Sequence, residues 1–306
     1  MVQRDIVIIG GGPAGLAAGI YAVRAARDVV LLERGLPGGK VTETERIENY
    51  PGFPGGIGGP ELMQRMEEHA RGLGLPIENN EVVEITKDDE VFLLRSKTGE
   101  ISARAVILAT GTGPRPLGVE GEARLRGRGV SYCAVCDGAF FRGQEVAVVG
   151  GGDAAVEEAQ FLTRFASKVY LIHRRGELRA ARSIQEHALA NPKIEPIWHS
   201  VVEEIRGENA VEEIVIKDVR DGALRTLPVS GVFVYVGISP NSYLVEKLVE
   251  RDPRGFVLTD EEMRTSVPGL FAAGDIRKKT LRQIVTAVAD GAIAAVSADR
   301  YLATGK

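Results

Sequence analysis

Short apolar runs without polar alternation punctuate this chain: Ile6-Val7-Ile8-Ile9, Val29-Val30-Leu31-Leu32, Ala105-Val106-Ile107-Leu108, Val146-Ala147-Val148-Val149 and Val169-Tyr170-Leu171-Ile172. Runs of this length suit strands that are buried on both faces, as in a parallel sheet covered by helices. Gly231-Val232-Phe233-Val234-Tyr235-Val236-Gly237 reads as another such strand, and Gly269-Leu270-Phe271-Ala272-Ala273-Gly274-Asp275 as a buried strand ending in an acid. Ala-rich amphipathic stretches follow the first and fourth runs, and a further Ala-rich helix is predicted over roughly 283–302. Glu81-Val82-Val83-Glu84-Ile85, Val91-Phe92-Leu93-Leu94 and Glu212-Glu213-Ile214-Val215-Ile216 alternate or cluster apolar residues over strand lengths, which predicts an antiparallel layer beside each parallel sheet.

The breaks between these runs predict how the chain divides. Gly113-Pro114-Arg115-Pro116 interrupts regular structure after the third run, and Ser239-Pro240-Asn241 interrupts it again after Gly237. Two linkers and a late return of strand and helix pattern imply that a domain of residues 115–243 is inserted into one made of 1–114 and 244–306.

The turns after two of the strands carry candidate chemistry. Gly10-Gly11-Gly12-Pro13-Ala14-Gly15 joins the first strand to a helix, and the second strand ends in Glu33. In such a unit Gly10 permits the sharp turn, Gly12 lets the backbone approach a pyrophosphate, and Gly15 lets helix and strand pack closely. The diphosphate rests on the helix N-terminus and Glu33 accepts a ribose hydroxyl. Gly150-Gly151-Gly152-Asp153-Ala154-Ala155 repeats the pattern, with Ala155 in the third glycine's place. Counted from the first glycine, the position of Glu33 is taken here by His173, followed by Arg174 and Arg175, with Arg179 placed to close the same pocket. Guanidinium groups grip a 2′-phosphate where a carboxylate would repel it, so the second turn is expected to prefer NADPH. One acid and one basic cluster imply two dinucleotides, FAD and NADPH, on an α/β chain of two Rossmann-like, three-layer domains.

At 306 residues the chain has room for two domains, and its 44% hydrophobic and 26% charged content is that of a globular protein. A formal net charge of −4 argues against a nucleic-acid partner. Met1-Val2-Gln3-Arg4-Asp5 leads straight into the first strand without a secretory h-region, and no apolar run is long enough to span a membrane, so a cytoplasmic location is expected. The 2 cysteines, Cys133 and Cys136, can build neither a disulfide framework nor a four-thiolate zinc site within one chain. No metal site is expected. A bridge across so short a loop staples almost nothing, so reactivity explains the pair better, with Asp137 placed to exchange a proton. Half a zinc site shared between chains and two inert core thiols are the remaining readings. His69, His187 and His199 have no suggestive partners and read as ordinary surface or packing residues.

Taken in order, these motifs resemble the low-molecular-weight thioredoxin reductases over the whole chain. The resemblance is carried by Gly10–Gly15, Pro37-Gly38-Gly39, Glu48-Asn49-Tyr50-Pro51-Gly52, Ala109-Thr110-Gly111, Cys133-Ala134-Val135-Cys136-Asp137-Gly138, Gly150-Gly151-Gly152-Asp153, His173-Arg174-Arg175 and Gly274-Asp275 with Arg282-Gln283-Ile284. It implies that Gly38, Gly39, Lys40, Asn49, Thr110, Gly111, Gly274, Asp275, Arg282, Gln283 and Ile284 line the FAD site. It implies that Cys136 faces the flavin, Cys133 attacks the disulfide of a thioredoxin or glutaredoxin-like protein, and Asp137 is the acid–base. It further implies a homodimer, a nicotinamide domain that rotates about the two linkers, and partner docking near Arg128, Phe140 and Phe141. Val135, Lys40 and Gly176 depart from the family pattern, which usually has Thr, Gln and an acid there. Flavoenzymes serving ferredoxin, a peroxidase system or oxygen, and a redox sensor without turnover, are the competing readings.

Overall fold

The computed structural model describes residues 2–44 and 46–304. The chain begins with β1 (Val2–Ile9), α1 (Pro13–Arg24), β2 (Val29–Glu33), α2 (Gly59–Gly72), β3 (Ile77–Asn79), β4 (Val82–Asp88), β5 (Val91–Ser96) and β6 (Gly99–Leu108). It leaves this first unit through β7 (Thr112–Pro114). The second unit contains β8 (Val130–Ser131), the short α3 (Ala134–Asp137), β9 (Glu145–Gly150), α4 (Asp153–Leu162), β10 (Lys168–Ile172), α5 (Arg182–Leu189), β11 (Ile194–Ile197), β12 (Ser200–Arg206), β13 (Glu213–Asp218), β14 (Leu224–Pro228) and β15 (Gly231–Tyr235). The return runs through β16 (Ile238–Pro240), and β17 (Leu270–Ala272) and α6 (Ile284–Thr304) complete the first unit.

The two compact units are Met1–Gly113 with Ser239–Lys306, and Pro114–Ile238. The return crossing therefore lies at residue 239, ahead of the 243/244 boundary that the sequence suggests. Side-chain anchoring accounts for the difference. Thr110 donates through Oγ1 to the Asn241 carbonyl at 2.8 Å, Asn241 donates through Nδ2 to the Thr110 carbonyl at 2.8 Å, and Ser242 donates to the Gly255 carbonyl at 2.7 Å. These bonds tie residues 241–242 to the first unit.

In that unit the parallel strands run β3-β2-β1-β6, and β17 pairs with the C-terminal half of β6. Their apolar runs work as period-two elements between two covered faces. Ile6, Ile8, Val29, Leu31, Ala105 and Ile107 face a cluster with Leu16, Ala18, Met63, Ala294 and Tyr301, from α1, α2 and α6. Val7, Ile9, Val30, Leu32, Val106 and Leu108 face the opposite cluster with Ile85, Phe92, Leu94, Val245 and Val257. The antiparallel β4–β5 hairpin branches from the N-terminal half of β6, so this layer is continuous with the parallel sheet. Each fully buried Ile, Leu or Phe contributes about 1.5–3 kcal/mol, which is why both faces must be covered.

The second unit repeats the scheme. Its sheet order is β11-β10-β9-β15-β8, all parallel. Val146, Val148, Val169 and Leu171 pack under α4 and α5 with Val156, Ala159, Leu162 and Ala188. Ala147, Val149, Tyr170 and Ile172 pack on Ile205, Ile214 and Ile216 of the separate antiparallel sheet β12-β13-β14. Among the described residues no helix is long and apolar enough to cross a membrane.

Candidate active site

In the first unit the strand ends converge on the start of α1. Gly10 takes φ +108°, in the left-handed half of backbone space, and a side chain there would collide with the Ala109 carbonyl. A methyl group at Gly15 would strike the Gly10 carbonyl, so strand and helix touch backbone to backbone. Gly12 has no atom within 4 Å of where its Cβ would stand, and it begins a helix with no side-chain cap, which leaves first-turn N–H groups without an intrahelical partner. Glu33 accepts from the Gly11 N–H at 2.7 Å and from the Gly35 N–H at 3.1 Å, which fixes its carboxylate beside the turn. Gly38 donates to the Gly11 carbonyl at 2.9 Å, bringing Gly38, Gly39 and the exposed Lys40 against the same turn.

The C-terminal residues reach this place from the far end of the sequence. A Cβ on Gly274 would stand 2.9 Å from the Ala14 side chain, so the Gly274-Asp275 turn sits directly on the N-terminus of α1. Arg282 donates to the Asp275 carbonyl at 3.4 Å and stacks 4.1 Å from the Phe256 ring centre. Asn49 donates to the Gln283 side chain at 3.1 Å, joining two candidates 234 positions apart. Ile284 opens α6, half-buried.

One Asp275 oxygen is enclosed without a hydrogen-bond partner, although the Lys279 ammonium lies 3.8 Å away. Burial pushes this carboxyl up from its ordinary value against the opposing pull of Lys279, Arg282 and Lys40. An enclosed acceptor without a donor, beside an uncapped helix start and a held acid, fits the ribityl hydroxyls, pyrophosphate and ribose of FAD.

Asp290 is an unforeseen member of this framework. It is buried on the inner side of α6 and accepts from the Gly274 N–H at 3.1 Å, Arg277 at 2.8 Å and Lys279 at 2.9 Å. Its signal in the sequence is an acid set in the Ala-rich first half of the helix.

The second unit builds its own turn. Gly150, at φ +158°, and Gly152 frame an uncapped α4 whose first turn carries Asp153 and the exposed Ala154. Gly151 lies against the His173 imidazole so closely that no side chain fits. His173 is buried, with Nε2 unpartnered, and burial first, then the nearby Arg179, lowers its pKa. Arg174, Arg175 and Arg179 are exposed and have no carboxylate partner among the described residues. Residues 174–181 form an irregular loop. The loop is folded back by the Arg179 N–H donating to the Gly151 carbonyl at 2.7 Å and the Ala181 N–H donating to Asp153 at 2.7 Å. All three guanidinium groups thus stand at the C-terminal end of β10 beside the glycine turn.

Cys133 and Cys136 form a disulfide at the start of α3 in this same unit. Cys133 is the N-cap, and its sulfur accepts from the Cys136 N–H at 3.2 Å. Asp137 accepts from Ser131 Oγ at 2.7 Å, and Ser131 Oγ also accepts from the Cys133 N–H at 3.1 Å. The preceding Tyr132 donates to Glu122 at 2.7 Å. Glu122 is only 4% exposed and also accepts from the Leu117 and Gly118 N–H groups at 2.8 and 2.7 Å. Burial and this carboxylate push the Tyr132 hydroxyl up to about 12. Tyr235 on β15 accepts from the Ala134 N–H at 2.9 Å, fastening α3 to the sheet. Ser131, Glu122 and Tyr235 carry no motif of their own, and sequence reasoning passed over them. Phe140 is 77% exposed, whereas Phe141 is in the core, edge-to-face with Phe233 at 5.3 Å, so Phe141 cannot line an outer surface.

A family model described as pyridine nucleotide-disulphide oxidoreductase matches residues 4–291. The chain is 49% identical over 304 residues to a thioredoxin reductase of Peptoclostridium litorale, covering 97% of this chain and 96% of the relative. It is 48% identical over 299 residues to a thioredoxin reductase of Bacillus subtilis (strain 168), covering 97% and 94%. The solved structure of Lactococcus lactis thioredoxin reductase in its FR conformation superposes with a TM-score of 0.95 at 46% identity, covering 98% of this chain and 99% of that one. With two nucleotide-binding turns and an internal disulfide in one chain, and a match of this extent, the chain belongs to the pyridine nucleotide-disulphide oxidoreductase family.

Proposed function

We propose that this chain is an NADPH-dependent thioredoxin-disulfide reductase, with FAD held by the first unit and NADPH by the second. The observation that carries the reading is the Cys133–Cys136 disulfide, set on the unit that also bears the unpaired Arg174, Arg175 and Arg179. Bound FAD supplies the two-electron chemistry, accepting a hydride from NADPH and giving an electron pair to a disulfide.

The protein's own residues account for the rest. Glu33 and the Gly10–Gly15 turn hold ribose and diphosphate, while Asp275, Arg282, Gln283 and Asn49 fix the remainder of the flavin. Reduction of the Cys133–Cys136 bond by two electrons and two protons gives a dithiol. Loss of a proton leaves a Cys133 thiolate, which the Cys136 N–H stabilises because that N–H already points at its sulfur. This thiolate attacks one sulfur of the partner's disulfide, and Cys136 then attacks Cys133, restoring the internal bond and releasing the partner as a dithiol. Asp137, oriented by Ser131, takes and returns the proton. Hydride acceptance from NADPH and reduction of the Cys133–Cys136 disulfide would each need the flavin ring in turn, so the reading requires the units to reorient about their two crossings. The partner is thioredoxin or a thioredoxin-like or glutaredoxin-like protein, the working form a homodimer and the location cytoplasmic.

Replacing Cys133 by Ser tests the assignment. Partner reduction should fall by more than about 10³-fold while bleaching of the flavin by NADPH continues, since the exchange nucleophile alone is removed. Unchanged partner turnover in Cys133→Ser would overturn the role of this pair.

A further inference from the structure

His199 was unremarkable in the sequence, but the structure sets it against the basic turn. β10 and β11 are parallel neighbours, so the loops at their C-terminal ends stand side by side on the edge where α/β sheets bind nucleotides. The His199 N–H donates to the Arg175 carbonyl at 3.3 Å, and the next N–H, of Ser200, donates to the His173 carbonyl at 3.0 Å. The imidazole lies where a side chain at position 176 would be, with Cε1 and Nε2 both 2.9 Å from the place of the missing Cβ. Gly176 therefore leaves the room that the ring fills.

Two further facts bear on what the ring can do. His199 adopts φ +52°, a conformation uncommon for a residue with a side chain, and the Val219 N–H holds it there by donating to its carbonyl at 2.7 Å. Asp218, the nearby carboxylate, is gripped by Arg220 through bonds of 3.0 and 2.6 Å, a pairing that holds its acidity at about 2. His199 also acts electrostatically on this carboxylate, but its imidazole makes no side-chain hydrogen bond among the described residues.

We propose that His199 is a specificity-determining residue of the nucleotide site, donating an imidazole N–H to the 2′-phosphate that Arg174 and Arg175 also bind. This rests on the assignment of the second unit as the NADPH domain. The ring adds a directional donor to exposed guanidinium groups, so its effect falls on ligands that carry a phosphate on the 2′ oxygen and not on the adenosine common to all of them.

Calorimetric titration of the flavin-loaded protein with adenosine 2′,5′-bisphosphate and with adenosine 5′-monophosphate isolates the 2′-phosphate. The wild type should bind the bisphosphate more tightly by at least about tenfold, equivalent to one charged hydrogen bond. His199→Asn, which tolerates the same backbone conformation, and His199→Ala should each weaken the bisphosphate about five- to tenfold and leave the monophosphate within about twofold. If both ligands weaken equally, or if the ratio between them is unchanged in both variants, His199 does not read the phosphate and the inference falls. If the wild type itself shows no preference for the bisphosphate, the NADPH assignment fails, and the inference with it.

Discussion

Asp275, proposed to hold the flavin, carries a cost for the fold itself. Its enclosed oxygen has no hydrogen-bond donor, and burial raises its pKa above that of the unfolded chain. A carboxyl of this kind contributes stability in its protonated form, below the ordinary value near 4, and the contribution is lost as pH rises through the folded value. Burial thus penalises the ionised form of this carboxyl in the folded chain. Asp275→Asn is expected to raise the melting temperature of the flavin-free protein by a few degrees at pH 7 and to weaken FAD binding by at least about tenfold. Differential scanning of apoprotein, with fluorescence titration of FAD, measures both. A variant that lowers the apoprotein melting temperature while keeping FAD affinity would contradict this account. Asp275 was recognisable through family resemblance. Asp290, which holds the Gly274 N–H and two cations beneath it, was not, because an acid on the buried side of a helix declares its partners only in three dimensions.

At the scale of elements, the apolar runs and glycine turns carried most of the information. The continuous apolar runs lie within β2, β9, β10 and β15 and at the C-terminal ends of β1 and β6, whose earlier positions carry Gln3, Arg4 and Asp5, and Glu100, Ser102 and Arg104; where a strand is covered on both faces there is no room for a polar period. What the pattern missed lies in irregular segments. The loop after β10 has no apolar period, so the return of Arg179 to the Gly151 carbonyl was invisible, and so was the approach of His199 from the neighbouring strand end. The glycine turn itself is intolerant. A methyl group at Gly15 meets the Gly10 carbonyl, which cannot move without opening the β1–α1 junction. Gly15→Ala should destabilise the protein by about 1–3 kcal/mol and leave it largely colourless after purification, as measured by thermal unfolding and by the ratio of flavin to protein absorbance. Gly72, at the end of α2, has nothing within 4 Å of its Cβ position, so Gly72→Ala serves as the control and should retain flavin. Full flavin content in Gly15→Ala would show that backbone contact is not what shapes the site.

For the whole molecule, two units of like construction differ in the chemistry beside their glycine turns: the first offers an acid at the second strand's end, the second a buried imidazole whose charged form burial disfavours and three guanidinium groups with no carboxylate partner among the described residues. That asymmetry, with the disulfide on the second unit, is the ground for the proposal that FAD belongs to the first unit, NADPH to the second and the electron exit to Cys133. Anaerobic titration of the flavin-loaded protein with NADPH and, separately, NADH, followed by oxidised thioredoxin, tests this directly through the flavin absorbance. The account predicts bleaching at much lower NADPH than NADH, then recovery of the oxidised spectrum on adding thioredoxin. Equal response to the two nucleotides, or bleaching that thioredoxin leaves unrecovered, would contradict it.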